Sequence, residues 1–406
     1  MEGKKLALIV QKFGGSSVAN AEKVNNVARR VVETARDGNQ VVVVVSAQGD
    51  TTDDLIEKAV EINPNASKRE MDMLLSSGEQ ISIALLAMAI ENLHHPVISL
   101  TGWQAGFQTN AVASNARIDR VDTERIAAEL DRKNIVIVAG FQGINKYGDI
   151  TTLGRGGSDT SAVAIAAALK ADKCEIYTDV DGVYTADPRI VKDAKKLEEI
   201  TYDEMLELAS LGANVLHNRS VEMAKKYNVK LEVKSSFEKI DGTVVKEVTN
   251  LEKMLIRGVA RDNDVARIAV VGVDDIPGVA FRIFSALAKE GVNVDMILQS
   301  IGRDDKKDIA FTVTKNHMDK TVQVLEELKG ILNYKEVSCR DDLSKISIVG
   351  AGMANNPGVA ANMFEALFAS DINIHMISTS EIKVSVLINA KNAERAVQVI
   401  HDKFNV

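Results

Sequence analysis

Leu6-Ala7-Leu8-Ile9-Val10-Gln11-Lys12-Phe13 runs straight into Gly14-Gly15-Ser16-Ser17. Residues 20–37 then space their apolar side chains as a helix does, and Gln40-Val41-Val42-Val43-Val44-Val45-Ser46-Ala47 follows. A β-branched run, a glycine turn, a helix-length segment and a second β-branched run predict a strand, a crossover helix and a parallel neighbour. The pattern recurs: His95 to Leu100, Asn134 to Phe141 and Lys173 to Asp179 are further short apolar runs between helix-length segments. An apolar helix is expected over 161–170, and a second, opened by a Thr cap, over Thr201 to Ala209. Five near-continuous hydrophobic strands predict a largely parallel sheet covered on both faces, an α/β fold of the αβα sandwich type over residues 1–250.

Beyond that sandwich the chain repeats itself. At an offset of 357 − 277 = 80, Gly272, Pro277, Gly278, Val279, Ala280, Phe284, Ala286, Leu287, Asn293, Met296, Ile297 and Ser300 each meet an identical residue. Each copy reads strand, Pro-Gly turn, helix, strand, strand, helix, so two βαββαβ units are expected, the first over 264–340. Tyr334 to Val337 can close the first copy, whereas the second ends one strand short at Val406. Met254 to Ala260 is strand-like and has no partner within the first copy, so it is expected to pair with the second, giving a unit made of 254–263 and 341–406.

The 406 residues exceed what one hydrophobic core usually holds, and 46% hydrophobic with 26% charged residues is globular composition. A formal net charge of -8 argues against a nucleic-acid partner, because phosphate-backbone binding draws on a basic surface. The longest apolar run, Ile81 to Ile90, reaches only half of the roughly 20 residues that span a bilayer, so no membrane partner is expected. The apolar stretch after Lys4-Lys5 is shorter than the roughly 7–15 residues of a secretory core. Cys174 and Cys339 are the only cysteines and form no CxxC, which removes a disulfide framework or zinc site and leaves a cytoplasmic location expected.

No GxxxxGK[ST], strand-linked GxGxxG or HRD motif occurs; five polar or glycine-rich segments near strand and helix ends carry the candidate chemistry instead. Lys12 to Ser17 either cradles phosphate on paired-glycine backbone with a lysine beside it, or is a strand-to-helix turn. Ser46 to Asp53 is a hydroxyl-rich loop or a turn before a Thr-capped helix. Ser76 to Gln80 puts Glu79 at the start of the apolar helix, where it complements the helix dipole or meets a substrate ammonium. In Leu153 to Thr160, Arg155 lies between glycines and its planar fork suits a carboxylate, with Ser158 or Asp159 capping the next helix. Tyr177 to Tyr184, with Asp187-Pro188-Arg189 behind it, is a turn or a nucleotide-binding loop. His217 has no triad partners and reads as structural; His94 and His95 read as helix C-caps.

Taken in order, KFGGSSV (12–18), VVVVSAQGDTTD (42–53), SSGEQIS (76–82), LGRGGSDTSA (153–162), YTDVDGVYTADPR (177–189) and KSSF (234–237) resemble the aspartate kinases, enzymes of amino-acid-kinase fold. The repeated VGVDDIPGVAFRIF (271–284) and VGAGMANNPGVAANMF (349–364), with NVDMILQS (293–300) and NIHMISTSEI (373–382), resemble that family's two regulatory ACT domains. No dehydrogenase-length segment follows, so the monofunctional form is expected. The resemblance implies transfer of the γ-phosphoryl of ATP, with Mg²⁺, to the side-chain carboxylate of L-aspartate, the first step toward lysine, threonine and methionine. It places Lys12, Phe13, Gly14 and Gly15 on the phosphates and Thr178, Asp179, Tyr184 and Arg189 around the nucleotide. It sets Glu79 on the substrate ammonium, Arg155 on the α-carboxylate, Ser46, Thr52 and Ser158 along the substrate pocket, and Asp159 orienting the charged groups.

For regulation the resemblance implies binding of lysine, threonine or both between ACT units of different chains in a homo-oligomer, a dimer through the ACT domains. Asp275, Asn293, Asp295, Gln299, Asn373 and His375 are the matching positions. One departure stands out: many relatives read LGAKVLHPR where this chain has Leu211 to Arg219, with Asn214 and Asn218 replacing Lys and Pro. Rival readings are another enzyme of the same fold, which the ACT repeat does not favour, or an inactive amino-acid sensor.

Overall fold

The computed structural model describes residues 7–213, 215–248, 255–302 and 304–406. The chain divides into two compact units, one of residues 1–184 and 196–252 and one of residues 185–195 and 253–406.

In the N-terminal unit β1 (Leu8–Phe13), α1 (Ala21–Arg36), β2 (Gln40–Val45), α2 (Thr51–Ile62), α3 (Lys68–Glu91), β3 (Val97–Leu100), β4 (Phe107–Thr109), β5 (Ile118–Val121) and α4 (Glu124–Asp131) are followed by β6 (Ile135–Ala139), β7 (Gln142–Asn145), β8 (Ile150–Thr152), α5 (Gly157–Leu169), β9 (Lys173–Thr178), β10 (Glu199–Thr201), α6 (Tyr202–Leu208), α7 (Asn218–Tyr227), β11 (Leu231–Ser235) and β12 (Thr243–Lys246). The five strands expected from the sequence lie in one eight-stranded sheet of order β10-β12-β11-β9-β1-β2-β6-β3, parallel except for the β11–β12 pair. Every side chain from Val41 to Val45 and from Ile135 to Ala139 is buried, as central strands covered on both faces require. Local caps agree with the elements: Asn20 accepts the Lys23 N–H at the start of α1, and Thr201 with Glu204 forms a capping box on α6. A small sheet, β5-β4-β7-β8, was not foreseen, because its strands are three or four residues long and partly polar.

The apolar run from Ile81 is the second half of α3, which begins at Lys68 with Ser67 accepting the Glu70 N–H. By length and composition this helix could cross a membrane; here it packs against α1, β3, β6 and β8, with Ile83, Leu86 and Ile90 in the core. Glu79 therefore sits mid-helix and not at an N-terminus, which removes its reading as a dipole complement. Similarly, Gly156 is the N-cap of α5, and Ser158 and Asp159 fall in its first turn. His94 and His95 lie past the Asn92 C-cap, and the His95 ring faces the Pro96 carbonyl instead of capping the helix.

The C-terminal unit holds β13 (Gly258–Asp262), β14 (Ala266–Asp274), α8 (Val279–Lys289), β15 (Ile297–Gln299), β16 (Lys306–Val313), α9 (Met318–Glu327), α10 (Lys329–Leu332) and β17 (Glu336–Arg340), then β18 (Leu343–Val349), α11 (Val359–Ala369), β19 (Met376–Thr379), β20 (Lys383–Asn389) and α12 (Ala393–Phe404). Two antiparallel sheets form, β15-β16-β14-β17 and β13-β18-β20-β19. β13 pairs with β18, Gly258 opposite Val349, in the place β17 occupies beside β14. The strand supplied from before the first copy thus completes the second. Residues 249–254, where the expected domain limits fall, lie outside the described residues.

Candidate functional site

β1 and β2 are parallel and adjacent, so the loops after both leave from the same edge of the sheet. Gly15 is where they touch: a Cβ there would lie 2.6 Å from the Ala47 carbonyl oxygen, while the Gly49 N–H donates to the Gly15 carbonyl at 3.0 Å. Only glycine permits that approach. The Ser46 N–H donates to the Phe13 carbonyl at 3.2 Å, closing the pair of loops from below. Phe13 is buried and stacks on Tyr177 with ring centroids 4.6 Å apart, tying in the end of β9.

Lys12 is the penultimate residue of β1 and Asp159 lies in the first turn of α5, and their side chains form an ion pair of 2.7 Å, each only 12% exposed. α5 presents its orphan N–H groups at the same place, so a cationic head and a helix N-terminus converge where an anion can be held. Ser158 is buried beside Asp159, whereas Arg155 is exposed and its guanidinium has no acceptor among the described residues. Glu79 is 3% exposed; its Oε1 accepts the Ala47 N–H at 3.1 Å and its Oε2 has no partner. Burial pushes its pKa up to about 7, the direction expected of a carboxylate held out of water with no cation. Thr52 lies half-buried in the first turn of α2.

On the next strand over, the Thr178 hydroxyl donates to Asp179 at 3.0 Å and the Tyr184 hydroxyl to Asp181 at 2.9 Å, with Lys196 also on Asp181 at 3.2 Å. Arg189 departs from the expected grouping. It lies in residues 185–195, which belong to the C-terminal unit: Ala186 and Val191 are buried in the core around β18 and β20, and the Thr185 carbonyl accepts the Val259 N–H at 2.8 Å. Its guanidinium donates to Asp187.

Two bracing residues escaped the sequence reading. Asp72, fully buried on α3, accepts from the backbone N–H and hydroxyl of both Ser114 and Thr152. Arg219 donates to the carbonyls of Leu153 at 2.9 Å and Ala116 at 2.7 Å. Both hold the chain on which the Gly154–Gly156 loop is mounted. Nothing in their local sequence marks them, since each partner is tens of residues away. His217 fits the structural reading: it caps α7, and Gly156, at φ 68°, would bring a Cβ within 2.2 Å of its ring. Asn218 donates to the Ser210 hydroxyl at 2.9 Å, and Asn214 lies outside the described residues.

Among the ACT positions, Asp295 pairs with the buried Lys345 at 2.6 Å, Asp275 with Lys307 at 2.8 Å, and His375 contacts Asn389 at 3.0 Å. Asn293, Gln299 and Asn373 are exposed. Among the described residues no hydrogen bond or ion pair joins any two of the six.

A parallel sheet whose edge loops offer a lysine-bearing glycine turn, a helix N-terminus and a half-satisfied buried carboxylate, joined to two ferredoxin-like repeats, is the build of an amino-acid-kinase domain with ACT regulators. Residues 7–235 match the amino acid kinase family and residues 268–328 and 346–404 the ACT domain. The chain is 51% identical to the aspartokinase of Bacillus sp. (strain MGA3), over 99% of this chain and 98% of that one. It is 52% identical to aspartokinase 2 of Bacillus subtilis (strain 168), over the same shares. Escherichia coli aspartokinase III, solved in complex with aspartate and ADP, superposes with a TM-score of 0.83 at 26% identity, covering 98% of this chain and 100% of that one. The chain belongs to the aspartokinase family and is an ATP-dependent kinase.

Proposed function

We propose that the N-terminal unit takes MgATP and L-aspartate and transfers the γ-phosphoryl to the side-chain carboxylate, giving 4-phospho-L-aspartate and ADP. The observation that carries the substrate is Glu79: a buried carboxylate with one oxygen unpartnered and its pKa near 7 is set to gain from an ammonium. Arg155, exposed and uncommitted, takes the α-carboxylate, while Ser46, Thr52 and Ser158 line the rest of the substrate pocket. Lys12, held by Asp159, and the Phe13–Gly15 backbone receive the transferring phosphate; Thr178, Asp179 and Tyr184 border the nucleotide.

The attacking carboxylate is already ionised at neutral pH, so no general base is needed. A bond forms from its oxygen to the γ-phosphorus, the bond to the bridging oxygen breaks, and ADP leaves with the electron pair. The protein's part is alignment and neutralisation of charge by Lys12 and the α5 terminus. No group of three or more His, Cys, Asp or Glu side chains able to hold a metal occurs among the described residues. Mg²⁺ would be carried by the phosphates of ATP and would offset their negative charge.

The ACT pair serves regulation by lysine, threonine or both, as part of the synthesis of those amino acids; E. coli aspartokinase III was also solved with lysine and aspartate, and that form superposes with a TM-score of 0.77. Ile297 and Leu298 on β15 are exposed at a sheet edge, with Phe281 and Ile301 also exposed nearby in sequence, which supports pairing of ACT units between chains in a homodimer. Two free cysteines, Cys174 and Cys339, suit a reducing cytoplasm. Aspartate-dependent ADP release from MgATP, titrated with lysine and threonine singly and together, tests the reading: no release without aspartate and a fall with an amino acid are expected, and release independent of aspartate overturns it.

A further inference from the structure

Between one face of α1 and the chain that follows β11 lies a cleft of about 390 Å³ that none of the proposed substrate positions lines. α1 contributes Lys23, Asn26, Arg30 and Glu33, spaced three or four residues apart and so on one face, with Arg29 beside them. Phe237 and Lys239 face them from the other wall. Glu33 is the one carboxylate in the lining, and Lys239 already pairs with it.

That leaves three cations without a carboxylate. Lys23 donates to the Ser16 carbonyl at 2.9 Å and stands 5.2 Å from the centre of the Phe237 ring. Arg30 donates to the Glu238 carbonyl at 3.0 Å and lies 4.9 Å from the centre of the Tyr177 ring; Arg29 donates to Asn26. In a chain of net charge -8 this is a local excess of positive charge facing a concavity. A second observation points to a ligand: Ser17 lines the same cleft, is 2% exposed, and its hydroxyl has no hydrogen-bond partner. A buried hydroxyl left unpaired is costly unless something else occupies it.

We propose that this cleft binds a small phosphate-bearing polyanion, its phosphate oxygens taken by Lys23, Arg29, Arg30 and the Ser17 hydroxyl, and any flat apolar part by the half-exposed Phe237 ring. Guanidinium forks suit phosphate oxygens, and a volume of about 390 Å³ exceeds a single phosphate. Because Ser17 ends the turn that begins at Lys12, occupancy is positioned to alter the phosphate-holding loop, which makes the site regulatory in kind.

Calorimetric titration of the full chain with tripolyphosphate tests this, using Lys12→Met to silence the proposed nucleotide site. Binding is expected to persist in Lys12→Met, to weaken about tenfold or more in Arg29→Glu, and about threefold in Ser17→Ala, with ADP release from MgATP without added tripolyphosphate unchanged in Arg29→Glu. Lys23→Gln, about threefold weaker, is the second probe if Arg29→Glu does not fold. Loss of all binding in Lys12→Met, or wild-type affinity in the folded cleft variants, overturns the proposal.

Discussion

Asp72 and Glu79 lie seven residues apart on α3 at similar depth, 0% and 3% exposed, and their surroundings treat them in opposite ways. Around Asp72 the small sheet and its approaches supply four donors, from Ser114 and Thr152, so the carboxylate is satisfied by the fold itself. Around Glu79 the loop after β2 supplies one N–H and leaves Oε2 with none. Burial depth alone therefore does not separate a brace from a binding group. The hydrogen-bond inventory does, because a buried charge without partners is unfavourable until a ligand arrives.

The largest effect that could break this contrast comes from Glu79→Gln. Removing one member of a buried charge pair costs roughly 3–5 kcal/mol, so kcat/KM for aspartate is expected to fall by about two to four orders of magnitude with KM for ATP little changed. Near-normal aspartate kinetics would make Glu79 another structural carboxylate.

The same residue has a pH signature. Its folded pKa is raised from 4.5 to about 7, so the stability it contributes is complete below about pH 4.5 and is lost as the pH climbs to about 7. The unliganded wild type and Glu79→Gln should be equally stable in urea at pH 4.5, with the variant ahead by about 3 kcal/mol at pH 8. An ammonium ligand needs the ionised form, so KM for aspartate should rise up to about tenfold per pH unit below pH 7, and stay flat in the variant.

Asp72→Asn sharpens the contrast from the other side. An amide cannot accept from all four donors, and one or more are left unpaired in the interior, for a loss of about 1–3 kcal/mol in stability. Loosening the mount of the Arg155 loop should raise KM for aspartate more than it lowers kcat. The smallest effect is expected from Arg219→Met, which strips donors from two backbone carbonyls and should cost about 1 kcal/mol, read as a lowered melting temperature.

Much of this molecule could be read along the chain. The five apolar runs became strands of one sheet because β-branched side chains suit a pleat buried on both faces, and the 80-residue repeat became two like sheets. The glycine loops came together since parallel strands send them to one edge. The start of α3 was not legible: Lys68 to Asp72 is polar but for Met71, and this half of the helix has no continuous apolar run to announce it. Nor were the short strands β4, β5, β7 and β8, whose pairing is decided by neighbours and not by their own composition.

The sequence by itself determined the fold class, the repeat and the residues that bear charge at loop tips, because hydrophobic period, glycine placement and residue chemistry are local properties. Tertiary structure alone decided which carboxylate is satisfied and which is waiting, that residues 185–195 belong with the second ACT sheet and take Arg189 with them, and that Lys345 already occupies Asp295. Those outcomes depend on donors and apolar surfaces brought together from distant parts of the chain. A carboxylate's state is set by what surrounds it in space, and a linear reading does not contain that information.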